Sequence, residues 1–268
     1  MKILGLANSD VRGGRANIPA GELYPSALQR ALARAIGEDI EITAHALWPN
    51  PGVHLVVRKW LHEIQPDLVT FSISSFWFLY ESTPVKLERS LGTPGRWVSR
   101  QSQRLAGTPW LAHNRAFQWG RKQAQRSIGG KAWFEPDEVV ARATEVIREI
   151  LQHEGSYLVV TGPGSGARWA QTPQAQARAA ARRETVDAAL ASFCKHHHVE
   201  YVSSAEMEAM RDPRPSSLQG DQLHLDREGH RRVAEHYFGM VQGWVERALA
   251  ATRDAPSGVE SHIKAERT

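Results

Sequence analysis

Short β-prone runs alternate with helical patterns along the chain, and this alternation restricts the possible fold more than any other feature of the sequence. The β-prone runs are Lys2–Ala7, Ile40–Ala44, Leu68–Ile73, Tyr157–Thr161 and Val199–Val202. Such alternation is typical of βαβ units, in which parallel strands are covered by helices on both faces. The sequence therefore predicts an α/β fold, a three-layer α/β/α sandwich around a five-stranded parallel sheet.

The predicted helices fill most of the sequence between these runs and after the last one. They cover Tyr24–Ala35, Val53–Ile64, Glu138–His153, Gln174–Lys195 and Gly229–Leu249. Residues 1–250 are expected to form one domain. A segment of about 76–133 interrupts the alternation after the third strand, and so long a connection is usually functional or contains its own helices. We expect a mostly helical insertion, either a lid or a subdomain, and a disordered polar tail over 251–268.

The composition excludes several classes of protein. The chain has 268 residues, a formal net charge of +4 and a single cysteine, Cys194. It can therefore form no internal disulfide and no cysteine-rich zinc site. The apolar run Ile3–Ala7 is too short for a signal peptide, and no later segment approaches the ~20 apolar residues that cross a bilayer. We expect a soluble cytoplasmic protein without a membrane partner.

Three residues at opposite ends of the chain suggest nucleophilic catalysis. Ser9 directly follows the first strand, at the sheet edge where parallel α/β proteins bind ligands. Asp221 and His224 lie in a segment before the last helix, three residues apart. A serine hydroxyl attacks well only when an imidazole accepts its proton, and an acid must orient that imidazole. The alternative for Ser9 alone is an ordinary helix cap.

These segments resemble the motifs of the SGNH (GDSL) hydrolases, which usually have Gly-Asp-Ser near the N-terminus and Asp-x-x-His near the C-terminus. The matching stretches are Ala7-Asn8-Ser9-Asp10, Asp221-Gln222-Leu223-His224 and Gly229-His230. Here Ala7 replaces the usual glycine and Asn8 the usual aspartate. The resemblance implies a flavodoxin-like sandwich with Ser9 as nucleophile, His224 as general base and Asp221 as its orienting acid. It implies no metal and no organic cofactor.

The oxyanion hole is where the sequence departs from the family. Those enzymes usually place a glycine after the second strand and an asparagine after the third, in a Gly-x-Asn-Asp motif. No asparagine follows the third strand here, and Ser74 or Ser75 would have to donate from a hydroxyl. Gly52 could supply the backbone N–H, with Asn50 beside it, although Pro-Asn-Pro-Gly also favours a simple tight turn. Because loss of one donor costs about 3 kcal/mol in the barrier, we expect slow chemistry, a substituted donor or an inactive site.

The insertion is basic and rich in tryptophan. Residues 84–133 contain ten cationic side chains, four tryptophans and only one acid, Glu88. A lid of this kind would suit an anionic or sugar-like acyl acceptor, because arginine binds carboxylates and phosphates and lids close over sites. The alternatives are a helical subdomain with buried tryptophans and a solvated basic face, or a surface for single-stranded nucleic acid.

Three further features receive structural interpretations. The run Gly162-Pro163-Gly164-Ser165-Gly166 lacks the ending of a P-loop and predicts a flexible edge loop near the pocket. Arg178, Arg182 and Arg183 predict a solvent-exposed helix face. His230 is expected to pack or to cap the final helix rather than to act in catalysis.

The sequence thus favours a serine esterase that acts on a small-molecule ester, such as a short O-acyl group on a carbohydrate-like substrate. An acyltransferase would use the same chemical steps with a different acceptor. The alternative from another class is a catalytically inactive ligand-binding protein on the same scaffold. A nucleic-acid-binding role rests on charge and aromatic residues alone, and nothing in the sequence indicates an oligomeric state.

Overall fold

The structure is a computed structural model that describes most of the chain. The described residues are 1–7, 9–12, 18–94, 97, 114, 116, 119–120, 123, 127, 130–164, 172–210, 217–218 and 224–254, of which 9, 12 and 251–254 are described by their backbone alone. Asp221 and most of the insertion lie outside these residues.

Five parallel strands form one sheet, in the order β2-β1-β3-β4-β5. They are β1 Lys2–Ala7, β2 Glu41–Ala46, β3 Leu68–Ser72, β4 Tyr157–Thr161 and β5 Glu200–Val202. All five predicted strands are confirmed, with boundaries that differ by at most two residues. In this order β1 lies between β2 and β3, so the turn that follows β1 opens near the middle of the carboxyl edge.

Seven α-helices accompany the sheet in the described part of the chain. They are α1 Tyr24–Ile36, α2 Val53–Ile64, α3 Thr83–Leu91, α4 Pro136–Leu151, α5 Pro173–His196, α6 Ser204–Ala209 and α7 Arg227–Asp254. The first and last of these, α1 and α7, pack together on one face of the sheet, and α2, α4 and α5 cover the other face. The predicted three-layer sandwich is therefore confirmed.

The strand side chains explain why both faces need a helical layer. In β1, Leu4 and Leu6 point into the core shared with α2, α4 and α5, whereas Ile3 points into the core shared with α1 and α7. Phe71 of β3 is likewise fully buried. Apolar residues on both faces are typical of parallel sheets, which occur almost only with both faces covered.

Two helices differ from the prediction. The short helix α6 was not predicted, although Ser203 and Glu206 form a capping box at its start. The last helix continues to Asp254 rather than ending near Leu249, so the first residues of the predicted disordered tail are helical. Good helix formers continue that far, and the chain then reaches Pro256, which disfavours helix in the residue before it. Residues 255–268 lie outside the described part of the chain.

His230 joins the last helix to the first one. Its ring is fully buried, and its Nδ1 accepts a hydrogen bond of 3.3 Å from the backbone N–H of Tyr24 in the first turn of α1. The Leu23 side chain at the N-cap offers no oxygen, so this imidazole satisfies an N–H that would otherwise be unpaired. The prediction that His230 has a packing role agrees with this contact.

Protonation of His230 would disrupt this junction. Burial lowers the pKa of the imidazole, while the charges of Asp10 and Asp226 partly oppose that effect. Because Nδ1 is an acceptor, the neutral ring carries its proton on Nε2. The folded state therefore resists taking up a second proton, and stability decreases as the pH falls below the ordinary histidine value of about 6.5.

We predict that His230→Asn flattens the pH dependence of stability. Asparagine retains an acceptor near the Nδ1 position but cannot titrate, and the smaller side chain should cost about 1–3 kcal/mol at pH 7.5. Urea unfolding at pH 7.5 and 5.5 measures the effect. Wild type should lose more stability than the variant between these two values; an equal loss in both proteins would contradict the assignment.

Candidate active site at the carboxyl edge of the sheet

The segments that follow the first three strands lie side by side at the carboxyl edge. The chain leaving β1 forms a short 3₁₀ turn, Ser9–Arg12. The chain leaving β2 stays beside it, because the N–H of Leu47 donates to the carbonyl of Ala7 at 2.8 Å. After β3 a second 3₁₀ turn follows, Ser75–Trp77. Ser9, the predicted nucleophile, is thus flanked by the segments that carry the predicted oxyanion donors.

A long-range hydrogen bond brings the C-terminal loop to this turn. The backbone N–H of Leu225 donates to the carboxylate of Asp10 at 3.2 Å, across 215 positions of sequence. Asp10 directly follows Ser9, and Leu225 directly follows His224. The turn of the predicted nucleophile and the loop of the predicted base are therefore adjacent, as the sequence hypothesis required. The side chain of Ser9 and the whole of Asp221 lie outside the described residues.

The loop that contains His224 is also held at its base. Leu218 and Leu225 form an antiparallel bridge. Asp226 caps α7 by accepting a bond from the Gly229 N–H at 2.8 Å, and it also accepts one from the Ser217 hydroxyl at 2.7 Å. Burial would raise the pKa of Asp226, but these hydrogen bonds outweigh it and lower the pKa below its usual range. His224, which is half-buried, directly precedes the two residues that these contacts hold in place.

Gly52 is the candidate for a backbone oxyanion donor. It lies at the N-cap of α2 with φ +77°, a conformation that favours glycine. Its carbonyl accepts from Leu55, and its N–H donates to none of the described residues. Asn50 is exposed, and its backbone accepts from Val53, which matches the tight-turn interpretation of this segment.

The two serine candidates after β3 have different environments. The Ser75 hydroxyl donates to the carbonyl of Gly164 at 2.7 Å, so its single hydrogen is already used. Ser74 is buried, with 8% of its surface exposed, and its hydroxyl bonds to no described residue. Of the two, Ser74 alone retains a hydrogen that is not already donated within the described structure.

The glycine-rich edge loop is held more firmly than predicted over its first three residues. Gly162 donates its N–H to Val202 at 2.8 Å, and the Ser204 hydroxyl donates to Pro163 at 2.8 Å. A side chain at 162 would collide with Asp187, since an added Cβ would lie 2.4 Å from its carboxylate. The prediction of a flexible loop is wrong for Gly162–Gly164, because residues after β3 and β5 anchor it from both sides.

An aromatic cluster lies at the same edge. Trp48 follows β2, and its ring centroid lies 6.0 Å from Phe76, 5.8 Å from Trp133 and 5.7 Å from Phe134. Phe76 in turn stacks on Tyr80 at 4.7 Å. All five residues are half-buried. The sequence did not reveal this cluster, since its members come from three separate segments; tryptophan enrichment was the one available signal.

The described cations beside the cluster are paired with an acid. Glu135 lies within 4 Å of Arg89, Lys131 and Arg182, and it also caps α4. Arg182 further donates to the carbonyl of Phe134 at 3.0 Å. The prediction that Arg182 belongs to a solvent face is therefore wrong, because its guanidinium ties α5 to the segment before α4. Arg178 pairs with Glu81 but is exposed, which agrees with the prediction for that residue.

The described part of the chain has neither a metal site nor a membrane-spanning helix. No three histidine, cysteine or acidic residues there come together in a way that could hold a metal ion. None of the helices described is both long and apolar enough to span a membrane. Burial raises the pKa of the Cys194 thiol to about 11, so this side chain is not a nucleophile at neutral pH.

The comparisons with known proteins support the fold. The sequence matches no protein-family model and no curated protein. The structure is similar to the psychrotrophic esterase EstA from Pseudoalteromonas sp., in a form inhibited by monoethylphosphonate, with a TM-score of 0.53 and 9% identity over 91% of this chain and 98% of that chain.

Two further solved structures align over most of this chain at lower scores. A member of the lipolytic G-D-S-L family from Veillonella parvula covers 89% of this chain and 96% of its own length at 10% identity and a TM-score of 0.45. A family 3 carbohydrate esterase from Clostridium thermocellum covers 93% and 98% at 16% identity and a TM-score of 0.47. At such identities the likeness concerns the fold alone, and the similarity to the esterase EstA agrees with the predicted three-layer α/β/α fold.

Proposed function

We propose that this protein is a serine esterase in which Ser9 is the nucleophile, His224 the general base and Asp221 the acid that orients it. The observation that carries the proposal is the hydrogen bond from Leu225 to Asp10, because it joins the neighbours of Ser9 and His224 at the ligand-binding edge of the sheet. The fold shared with an esterase inhibited by a phosphonate supports the same chemistry.

The proposed reaction proceeds in two steps. The Ser9 hydroxyl attacks the acyl carbon while His224 takes its proton, and the same imidazole then protonates the leaving alcohol. Water, activated by His224, next attacks the acyl-enzyme and releases the acid. If a second alcohol replaces water, the outcome is acyl transfer, so the acyltransferase alternative differs only in its acceptor.

The oxyanion formed in each step needs donors that are already in place. We assign the backbone N–H of Gly52 and that of Ser9 to this role, with the Ser74 hydroxyl as a further candidate. Ser75 is left out of the proposal, because its hydroxyl donates to Gly164. The weaker donor set also keeps a ligand-binding protein of low activity as the alternative function.

The aromatic cluster suggests how the alcohol part of the substrate is held. Half-buried rings of Trp48, Phe76 and Tyr80 offer apolar faces beside the segment of Ser9. The described cations Arg89, Lys131 and Arg182 already pair with Glu135. These three cations are not assigned to the substrate, and the proposed substrate is an ester recognised through ring stacking, such as a short O-acyl group on a sugar.

A fluorophosphonate probe should label wild type at Ser9, whereas Ser9→Ala and His224→Ala should abolish labelling and lower kcat for p-nitrophenyl acetate by at least about 10³-fold. Ser156 and His153 provide a matched control, since their side chains lie 3.1 Å apart but precede β4 at the opposite edge. Ser156→Ala and His153→Ala should leave labelling unchanged. A folded wild type that resists the probe would favour the binding-protein alternative.

Gly52→Ala should lower kcat by about tenfold or more, because a side chain strains the left-handed conformation and moves the N–H away from the oxyanion. Gly37 is the matched control: its φ is +74°, it has open space around it, and it ends α1 away from this edge. Gly37→Ala should cost similar stability, about 1 kcal/mol, without changing kcat. Equal kcat in the two variants would remove Gly52 from the oxyanion hole.

Phe76→Ala should raise KM for an acetylated sugar several-fold and change kcat less, since an aromatic contact is worth about 0.5–1.5 kcal/mol. The control is Phe193→Ala, which removes another half-buried ring, one that contacts His197 at the far end of α5. That variant should lose stability but keep the wild-type KM. Unchanged KM in Phe76→Ala would argue against recognition by the aromatic cluster.

A further inference from the structure

The carboxylate of Asp10 connects two segments that the proposed mechanism needs to keep in register. It belongs to the same 3₁₀ turn as Ser9, and Val11 anchors that turn by inserting into the core with 6% of its surface exposed. The Oδ1 atom of Asp10 accepts a hydrogen bond from the backbone N–H of Leu225 at 3.2 Å. A shift of the C-terminal loop relative to the turn would stretch this bond.

The loop has little freedom on its other side. Leu225 is bridged to Leu218, and the next residue, Asp226, is bonded to Ser217 and to the start of α7. These contacts fix the two ends of the loop relative to each other, but none of them involves a residue of the Ser9 turn. The bond that Asp10 accepts from Leu225 is a contact that does relate the loop to the turn of the nucleophile.

The surroundings of Asp10 favour a bond that persists. The carboxylate is half-buried against the α1 and α7 layer, and its charge acts on Tyr24, Tyr237 and His230. Hydrogen bonds to a charged acceptor are stronger than neutral ones, and they weaken less where water is partly excluded. The acceptor thus lies close to α7, the helix that directly follows the loop, and to α1, which packs against it.

We propose that Asp10 is a positioning residue, which holds the backbone beside His224 against the Ser9 turn so that the imidazole meets the serine hydroxyl. This inference rests on the proposed function and goes beyond it, because Asp10 takes no part in the bond changes. Its contribution is geometric, and displacement of a reacting group by about 1 Å can cost on the order of 10²-fold in rate.

Two substitutions separate the geometric role from the charge. Asp10→Asn keeps an oxygen that can accept the Leu225 N–H, whereas Asp10→Ala removes it. Phosphonylation of Ser9 and kcat for p-nitrophenyl acetate should fall about 10–100-fold in Asp10→Ala with KM nearly unchanged, and by less than about threefold in Asp10→Asn. Equal losses in both variants, or no loss in Asp10→Ala, would overturn the proposal.

Asp67 provides the control for general destabilisation. Its carboxylate also accepts a backbone N–H, that of Lys2 at 2.7 Å, but it does so at the amino edge of the sheet. Asp67→Ala should lower the melting temperature without lowering the rate of phosphonylation. If it slows labelling as much as Asp10→Ala does, the effect is structural and the positioning role is wrong.

Hydrogen exchange gives a readout that does not depend on activity. Peptides that contain Leu225 should exchange faster in Asp10→Ala than in wild type, Asp10→Asn or Asp67→Ala. Faster exchange together with slower labelling supports the proposal. If wild type is not labelled at all, the proposed function fails, whatever the exchange data show. If wild type is labelled but Leu225 exchanges equally fast in Asp10→Ala and wild type, Asp10 does not hold the loop and the inference fails by itself.

Discussion

Parallel pairing of all five strands is the constraint on which the rest of this structure depends. It places every carboxyl end at one edge, and it requires a helical layer on each face because the strands are apolar on both sides. With β1 between β2 and β3, the turn at Ser9 opens between the segments that carry Gly52 and Ser74. Reactive and supporting groups can therefore come from distant parts of the chain and still meet.

The two ends of the chain meet through packing of the first and last helices. The bond from Tyr24 to His230 spans 206 positions and joins α1 to α7, and the bond from Leu225 to Asp10 spans 215. Both depend on α7 being docked on the sheet. Assembly of the proposed site is thus coupled to completion of the sandwich, since a chain whose last helix is undocked would have Ser9 without its base.

Local pattern was sufficient to predict the strands, the layers and the two ends of the proposed site. Periodicity reports which face of an element is buried, and the Asp-x-x-His segment is a short contiguous signal. Contacts between separate elements leave no such signal: Arg89, Lys131 and Arg182 come from three segments and meet only at Glu135. The same reason hides the Trp48 cluster and made Arg182 look like a solvent-facing residue.

The segment after β3 differs from the pattern expected of an oxyanion hole, and the proposed site must therefore use other donors. Ser75, close to where an asparagine would be expected, donates its hydroxyl hydrogen to the carbonyl of Gly164, so this polar residue ties two segments of the edge together and has no hydrogen left for an oxyanion. A backbone donor at Gly52 is better defined than a hydroxyl, because the start of α2 determines its direction and a hydroxyl rotates freely. A site built this way would have fewer oxyanion donors, but the remaining ones would be held in fixed positions. This favours an enzyme with a reduced kcat over an inactive protein.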